Sequence, residues 1–328
     1  MLLSIGIAIF VALLAWQGFG PVAATLMAAG WGLLLIAAFH LLPLALDAAA
    51  IVVLFDRDHV HGSMRDALLA RWAGESVNSL LPAGQIGGPV VMVRHLTQRG
   101  TSLREAAAAI TVSTTMQALA QIVFALFGLA LFGAYTARDT LTDLRIPMIV
   151  ATALLTFSIA AFYWAQRWGL FGRLLRMASK AFGRRDWSAL TTHADAVDAA
   201  INALYRERRK VAATFALSFV GWLVGTGEVW LALRFLAHPV SWLDALLLES
   251  VGQAIRGAAF AIPGSLGVQE AGYLLLAPLV GLPPDAALAL SLAKRARELL
   301  LGVPGIVYLH WSERNRLRRR TPQVPVID

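Results

Sequence analysis

Apolar runs near 20 residues long recur along the chain, at about 2–18, 27–55, 105–133, 146–165, 211–237 and 285–311, with polar or charged stretches between them. A helix rises about 1.5 Å per residue, so runs of this length match a hydrocarbon core roughly 30 Å thick. Alternation of apolar and polar residues over about ten positions, the pattern of a membrane β-barrel, does not occur. Two further segments, 63–100 and 241–282, are apolar enough to enter a membrane but are broken near their middles. The breaks are Pro82, Gly84, Gly87, Gly88 and Pro89 in the first, and Pro263, Gly264 and Gly267 in the second. The pattern predicts an all-α integral membrane protein with about six full transmembrane helices plus two broken, re-entrant helical hairpins; if the breaks are kinks, the count becomes eight spans.

The two interrupted segments resemble each other. At an offset of 181 residues Pro82 falls on Pro263, Gly100 on Gly281, and Ala106-Ala107-Ala108 on Ala287-Leu288-Ala289. In the six-span reading the two copies enter the membrane from opposite faces, as an inverted repeat. Broken helices of an inverted repeat meeting at mid-membrane are how many secondary transporters build a substrate site. Backbone freed at such breaks must face protein or a wet cavity, because hydrocarbon offers no hydrogen bonds.

Composition supports the membrane assignment. The 328 residues are 58% hydrophobic and 15% charged, too few polar side chains to cover a soluble domain. The formal net charge is +8, but the basic residues flank apolar runs instead of forming a folded basic face. They read as topology signals and contacts to anionic lipid, not as a nucleic-acid surface. Residues 167–210 carry ten basic residues against four acidic, and 314–320 carry five more Arg. Both stretches are expected on the cytoplasmic side, with both chain ends, whereas 134–145 and 238–285 are expected outside. Met1 to Gly20 lacks a basic leader, so it reads as a retained first span in a bacterial inner membrane. The organisation expected is one polytopic domain over 1–314, with halves of about 1–165 and 211–314 joined by an amphipathic cytoplasmic linker, 166–210, and followed by a basic tail, 315–328. Within the linker, 170–182 and 189–205 have helical apolar spacing and suit either the membrane surface or a solvated connection.

Charges at membrane depth give the candidate chemistry. Each costs roughly 2.5–3.5 kcal/mol at the bilayer centre even on the lenient insertion scale. Arg71, Glu75 and Asn78 share one helix face before Pro82; Glu249, Gln253 and Arg256 do the same before Pro263. The offset makes Glu75 and Arg256 equivalent, which suggests an ion pair between them. In the last span Lys294, Arg295, Arg297 and Glu298 lie close to mid-membrane. Glu298 can pair with Lys294 or Arg295, which leaves a cation for a lipid phosphate. Alternatively these charges pair with Glu249 or Glu270 and lock helices together. Glu228, His40 and Asp47 are also expected to be buried, more as packing or hydrogen-bonding devices than as functional groups.

No phosphate-binding loop, zinc signature or cysteine is present, so neither ATP hydrolysis nor a metal is implied, and no cofactor is expected. The run Ile262-Pro263-Gly264-Ser265-Leu266-Gly267-Val268-Gln269-Glu270, with Asn78-x-x-x-Pro82 and Gly87-Gly88, resembles the lysylphosphatidylglycerol synthase transmembrane-region family of flippase-like proteins. Leu282-Pro283-Pro284 through Lys294-Arg295-Ala296-Arg297-Glu298, ending in Pro304-Gly305, is similar to its hopanoid-associated branch. The resemblance implies a membrane domain that moves or handles a polar-headed lipid, and Ser265 stands where the family often has Gly. Only a short basic tail follows the last span, so aminoacyl transfer is not implied and no enzyme activity is expected. The expected site lines a central cavity with Arg71, Glu75, Asn78, Arg256, Gln269, Glu270, Lys294, Arg295, Arg297 and Glu298, its partners being membrane lipid and the bilayer. The rival expectations are a scaffold for lipid-biosynthetic enzymes and an intramembrane lipid-modifying enzyme.

Overall fold

In the computed structural model the described residues are 27, 29–55, 63–81, 87–136, 188–258, 265 and 267–320, with isolated positions between 153 and 173. The expected spans at 2–18 and 146–165 lie wholly or largely outside them, as do the helix expected at 170–182 and Pro82, Gly84, Pro263 and Gly264 at the interruptions.

The described elements are helices. In chain order they are α1 (Gly32–Phe39), α2 (Leu41–Val52), α3 (Met64–Leu80), α4 (Gly87–Gln98), α5 (Leu103–Thr136), α6 (Ser188–Arg206), α7 (Arg208–Phe235), α8 (Trp242–Ala258), α9 (Val268–Leu276), a 3₁₀ turn (Ala277–Val280) and α10 (Pro284–Arg320). His40 is helical itself, with φ −61° and ψ −19°, so α1 and α2 run as one span. Among the described residues three helices, Gly32–Val52, Leu103–Leu131 and Arg208–Phe235, are long and apolar enough to cross a membrane.

The polarity of α10 shows which solvent this fold is built for. Leu299, Leu300, Val303 and Val307 are exposed on its outer face, while Lys294, Arg297 and Glu298 are buried on the inner one. Water would favour the reverse, because exposing apolar surface costs about 25 cal/mol per Å² and burying charge costs more. In lipid the outer face costs nothing and the charges need only find partners. The protein is an all-α membrane protein.

The interrupted segments form paired helices, α3 with α4 and α8 with α9. Their local structure repeats at the 181-residue offset: α4 and α9 begin at Gly87 and Val268, α5 and α10 at Leu103 and Pro284. The turns between them close with the same bonds. Thr101 N–H donates to Leu96 O at 3.2 Å and Gly100 N–H to Thr97 O at 3.3 Å; Leu282 N–H donates to Ala277 O at 2.9 Å and Gly281 N–H to Pro278 O at 3.3 Å. Gly100 and Gly281 adopt φ +103° and +67°, the left-handed helix ending that glycine makes cheap.

In the segment expected to link two halves, α6 turns its apolar stripe to protein. Ile201 is fully buried with Leu54, Ala108, Val112 and Met116, so at least part of the linker packs on α5. Helix α3 lies tightly against α10: a Cβ on Gly305 would strike Ser76 Oγ, and one on Gly302 would come 2.8 Å from Leu80 Cδ1. Trp72 Nε1–H donates to Leu301 O at 2.9 Å, beside the turn that Pro304 disturbs.

Candidate functional site

The charged residues of the interrupted helices converge with those of α10 in one buried network. At its centre is Arg297. Its Nε lies 3.2 Å from Glu228 Oε1 of α7, and its Nη1 lies 3.4 Å from Glu75 Oε1 of α3. His40 bridges the same two carboxylates, with Nδ1 2.8 Å from Glu228 Oε2 and Nε2 2.8 Å from Glu75 Oε1. Arg297 Nη1 stands 3.0 Å from that Nε2. Four helical segments from the two ends of the chain thus meet at one imidazole and one guanidinium.

The network continues along α10. Glu298 takes Arg295 Nη1–H at Oε2 (2.9 Å), and its Oε1 lies 3.3 Å from Arg256 Nη2 of α8. Arg295 Nε approaches Glu270 Oε1 of α9 at 3.4 Å. Ser291 donates to the same oxygen at 2.9 Å and accepts from Gln269 Nε2–H at 2.9 Å. Lys294 Nζ donates to Glu249 Oε2 of α8 at 2.5 Å, and Gln253 holds the other oxygen at 2.8 Å. The pattern follows helix geometry: Ser291, Lys294, Arg295 and Glu298 fall at three- and four-residue spacings and so share one side of α10.

A smaller cluster lies beside it. Arg71 Nη2 is 2.8 Å from Asp47 Oδ2, and Gln117 Nε2–H donates to the same oxygen at 2.6 Å. Trp222 Nε1–H reaches Gln117 O at 3.3 Å. The main network borders a small cleft lined by His40, Trp72, Glu75, Ser76, Arg297 and Glu298, and the smaller one a second cleft; each has room for about one water molecule.

Most residues singled out in the sequence come together, with three differences. Glu75 and Arg256 do not pair; Glu75 binds His40 and Arg297, and Arg256 binds Glu298. The pairing of equivalent positions is superseded because α10 places four charges between the two hairpins. Asn78 stands apart from the charges and accepts Gly88 N–H at 2.8 Å, tying the first hairpin across its interruption. The cations of α10 are met by carboxylates: Lys294 by Glu249 and Arg295 by Glu270 and Glu298, the helix-locking alternative. His40, Glu228 and Asp47 are buried hydrogen-bonding groups as expected, but they join the clusters from outside the predicted site, as does Ser291, whose place on the polar side of α10 was its signal.

Hydrogen-bonding capacity is left over. Arg71 Nε, Arg295 Nη2, Gln269 Oε1 and Glu270 Oε2 are buried with no hydrogen-bond partner among the described residues. Such atoms are costly unless something completes them. Around the second interruption Gly267 caps α9 at φ +78°, and Ser265, at φ +49°, sets its hydroxyl 3.4 Å from Arg256 O.

Residues 3–305 match the family described as the lysylphosphatidylglycerol synthase TM region. The chain belongs to this family. No curated protein and no solved structure matches it. The lysylphosphatidylglycerol synthase TM-region match spans every ionisable group of the network, from His40 to Glu298. Family and fold together give a membrane protein of lipid-related processes.

Proposed function

We propose that this protein is a flippase-like lipid transporter whose buried network exchanges its internal ion pairs for a polar lipid head group. The observation that carries this reading is the spare capacity inside the network. Arg295 Nη2, Gln269 Oε1 and Glu270 Oε2 have no hydrogen-bond partner among the described residues, and Arg295 and Arg297 can present donors to phosphate oxygens once their carboxylates are displaced. The interrupted hairpins would enter from opposite faces as an inverted, re-entrant repeat and frame the route, with the head group crossing between them while the tails stay in lipid. Positive-inside bias supports an inner-membrane location with both ends cytoplasmic. The stretch from Leu282 to Gly305 favours the hopanoid-associated branch and hence a hopanoid-type cargo. No bond is made or broken in this reading.

The experiment is reconstitution of the full chain into vesicles carrying nitrobenzoxadiazole-labelled phosphatidylglycerol and phosphatidylethanolamine, read by dithionite access to each leaflet. Wild-type protein is expected to move label between leaflets, and Arg256→Gln or Arg297→Gln to abolish that movement while eluting as folded protein. Movement that survives both changes removes these residues from the route. A second reading, a non-transporting scaffold for lipid-biosynthetic enzymes, is favoured by one observation: the charges already satisfy much of one another and leave space for about one water. Absent lipid movement, with co-purifying lipid-modifying activity, would select it. Chemically altered label would instead select an intramembrane enzyme.

A further inference from the structure

The two carboxylate contacts of His40 have a place for one proton more than a neutral imidazole among ionised carboxylates provides, while Arg297 Nη1 stands 3.0 Å from the ring's Nε2. The two ring nitrogens each lie 2.8 Å from a carboxylate oxygen, Glu228 Oε2 on one side and Glu75 Oε1 on the other. A neutral imidazole carries one N–H and can donate to only one of them; its other nitrogen would then direct a lone pair at an anion. Both contacts are favourable together only if the ring is an imidazolium or one carboxyl is protonated. The charge count of the buried clusters agrees. Among the described residues they hold six carboxylates, Asp47, Glu75, Glu228, Glu249, Glu270 and Glu298, against five permanent cations, Arg71, Arg256, Lys294, Arg295 and Arg297. With a proton on His40 the sum is zero. Without it one negative charge is buried unmatched, which a low-dielectric interior penalises.

We infer that His40 is a proton-binding site at the junction of the two halves, and that release of its proton opens the junction and so couples proton movement to lipid movement. The second part rests on the transport reading; the first does not. The exchange is specified by three atoms. With the proton present, Nε2–H donates to Glu75 Oε1 and Nδ1–H to Glu228 Oε2. When the proton passes from Nε2 to water in the cleft, Nε2 becomes an acceptor for Arg297 Nη1–H, already 3.0 Å away, and Glu75 loses its imidazole donor. His40 belongs to the α1–α2 span and Glu75 to α3, whereas Glu228 and Arg297 belong to α7 and α10. The proton therefore decides whether the imidazole adds its own tie between α3 and the α7–α10 side to the one that Arg297 makes with Glu75. The charged groups around it are Glu75 and Arg71 on α3, Asp47 on α2, Glu228 on α7, and Lys294, Arg297 and Glu298 on α10. Arg297 opposes the proton and the two bridging carboxylates favour it, so a small displacement of either side changes the balance.

Two measurements on the full chain test this. Nitrogen NMR of protein labelled at its histidine rings, with the His40 signal assigned by its loss in His40→Gln, is expected to show both ring nitrogens of His40 protonated at neutral pH. A ring with a single N–H throughout about pH 5 to pH 8 overturns the proton site, whether or not lipid moves. In vesicles, a pH gradient of one unit is expected to shift the leaflet distribution of labelled phosphatidylglycerol by up to about tenfold for one proton per lipid. His40→Gln is expected to bring the ratio with and without a gradient to about one. Wild-type movement that ignores the gradient overturns the coupling and leaves the transport reading standing. No movement of either labelled lipid overturns the transport reading and the coupling together, and the NMR result then decides the proton site alone.

Discussion

Replacing Lys294 by Met removes one partner of the most enclosed ion pair among the described residues. Lys294 is 1% exposed and Glu249 is 4% exposed, so the carboxylate left behind has no route to water without moving α8. Breaking a buried pair by removing one partner costs roughly 3–5 kcal/mol, because the remaining charge is uncompensated. Gln253 Nε2–H still donates to Glu249 Oε1 at 2.8 Å, which keeps one charge-assisted bond and places the expected loss near the lower end, about 3 kcal/mol. Adding Glu249→Leu removes the stranded charge. Replacing both partners of a buried pair by apolar residues of similar volume is often neutral or stabilising, so the double variant should return to within about 1 kcal/mol of wild type. The assay is reversible unfolding in mixed micelles followed by tryptophan fluorescence, with both single variants and the double forming a complete cycle. A Lys294→Met protein within about 0.5 kcal/mol of wild type would show that the pair behaves like a solvated surface pair, and the account of a sealed junction would fail.

Three further outcomes use the same unfolding assay. Gly88→Ala places a methyl 2.5 Å from Asn78 Nδ2 and should cost about 1–3 kcal/mol by overpacking; Asn78→Ala in the same chain should recover part of that loss. Ser265→Gly relieves a non-glycine residue at φ +49°, and with the flexibility penalty of glycine deducted should stabilise by about 0.5 kcal/mol; destabilisation beyond about 1 kcal/mol would mean that its contact to Arg256 O outweighs the strain. Arg94 makes a two-pronged pair with Glu313, at 2.7 and 2.6 Å, but is 60% exposed, so Arg94→Ala should cost no more than about 1 kcal/mol, in contrast to Lys294→Met.

The helices were legible because their signals are local. Apolar runs of membrane length predict Gly32–Val52, Leu103–Leu131 and Arg208–Phe235 directly, and the left-handed endings at Gly100 and Gly281 appear as matching glycines at the 181-residue offset. Burial of Lys294, Arg297 and Glu298 was legible from cost alone, since no lipid-facing position would accept them. The pairing was not legible. Each carboxylate had several cations within reach in sequence terms, and the choice was made by the rotation of α10, which close packing at Gly302 and Gly305 fixes against α3. His40 stood outside the predicted site for a related reason: a single histidine in an apolar run gives no sign of the two carboxylates, 35 and 188 residues away, that meet it.

The repeated local structure and the unequal charges argue for a division of labour between the halves. At the 181-residue offset Asp47 corresponds to Glu228, and Ser113, Thr114 and Gln117 on α5 correspond to Lys294, Arg295 and Glu298 on α10. Both positions therefore carry polar groups on a long helix facing an interrupted pair, and in both a carboxylate of the preceding long span is engaged: Asp47 by Arg71 and Gln117, Glu228 by His40 and Arg297. One copy does this with an amide, Gln117, and a single ion pair, Arg71 with Asp47. The other uses four charges on one helix, whose separation in a low-dielectric setting demands a replacement partner of equal charge or a proton. In the transport proposed above, a junction built from the second copy stays shut until such a partner arrives, the selectivity that a route for charged head groups needs if it is not to leak ions.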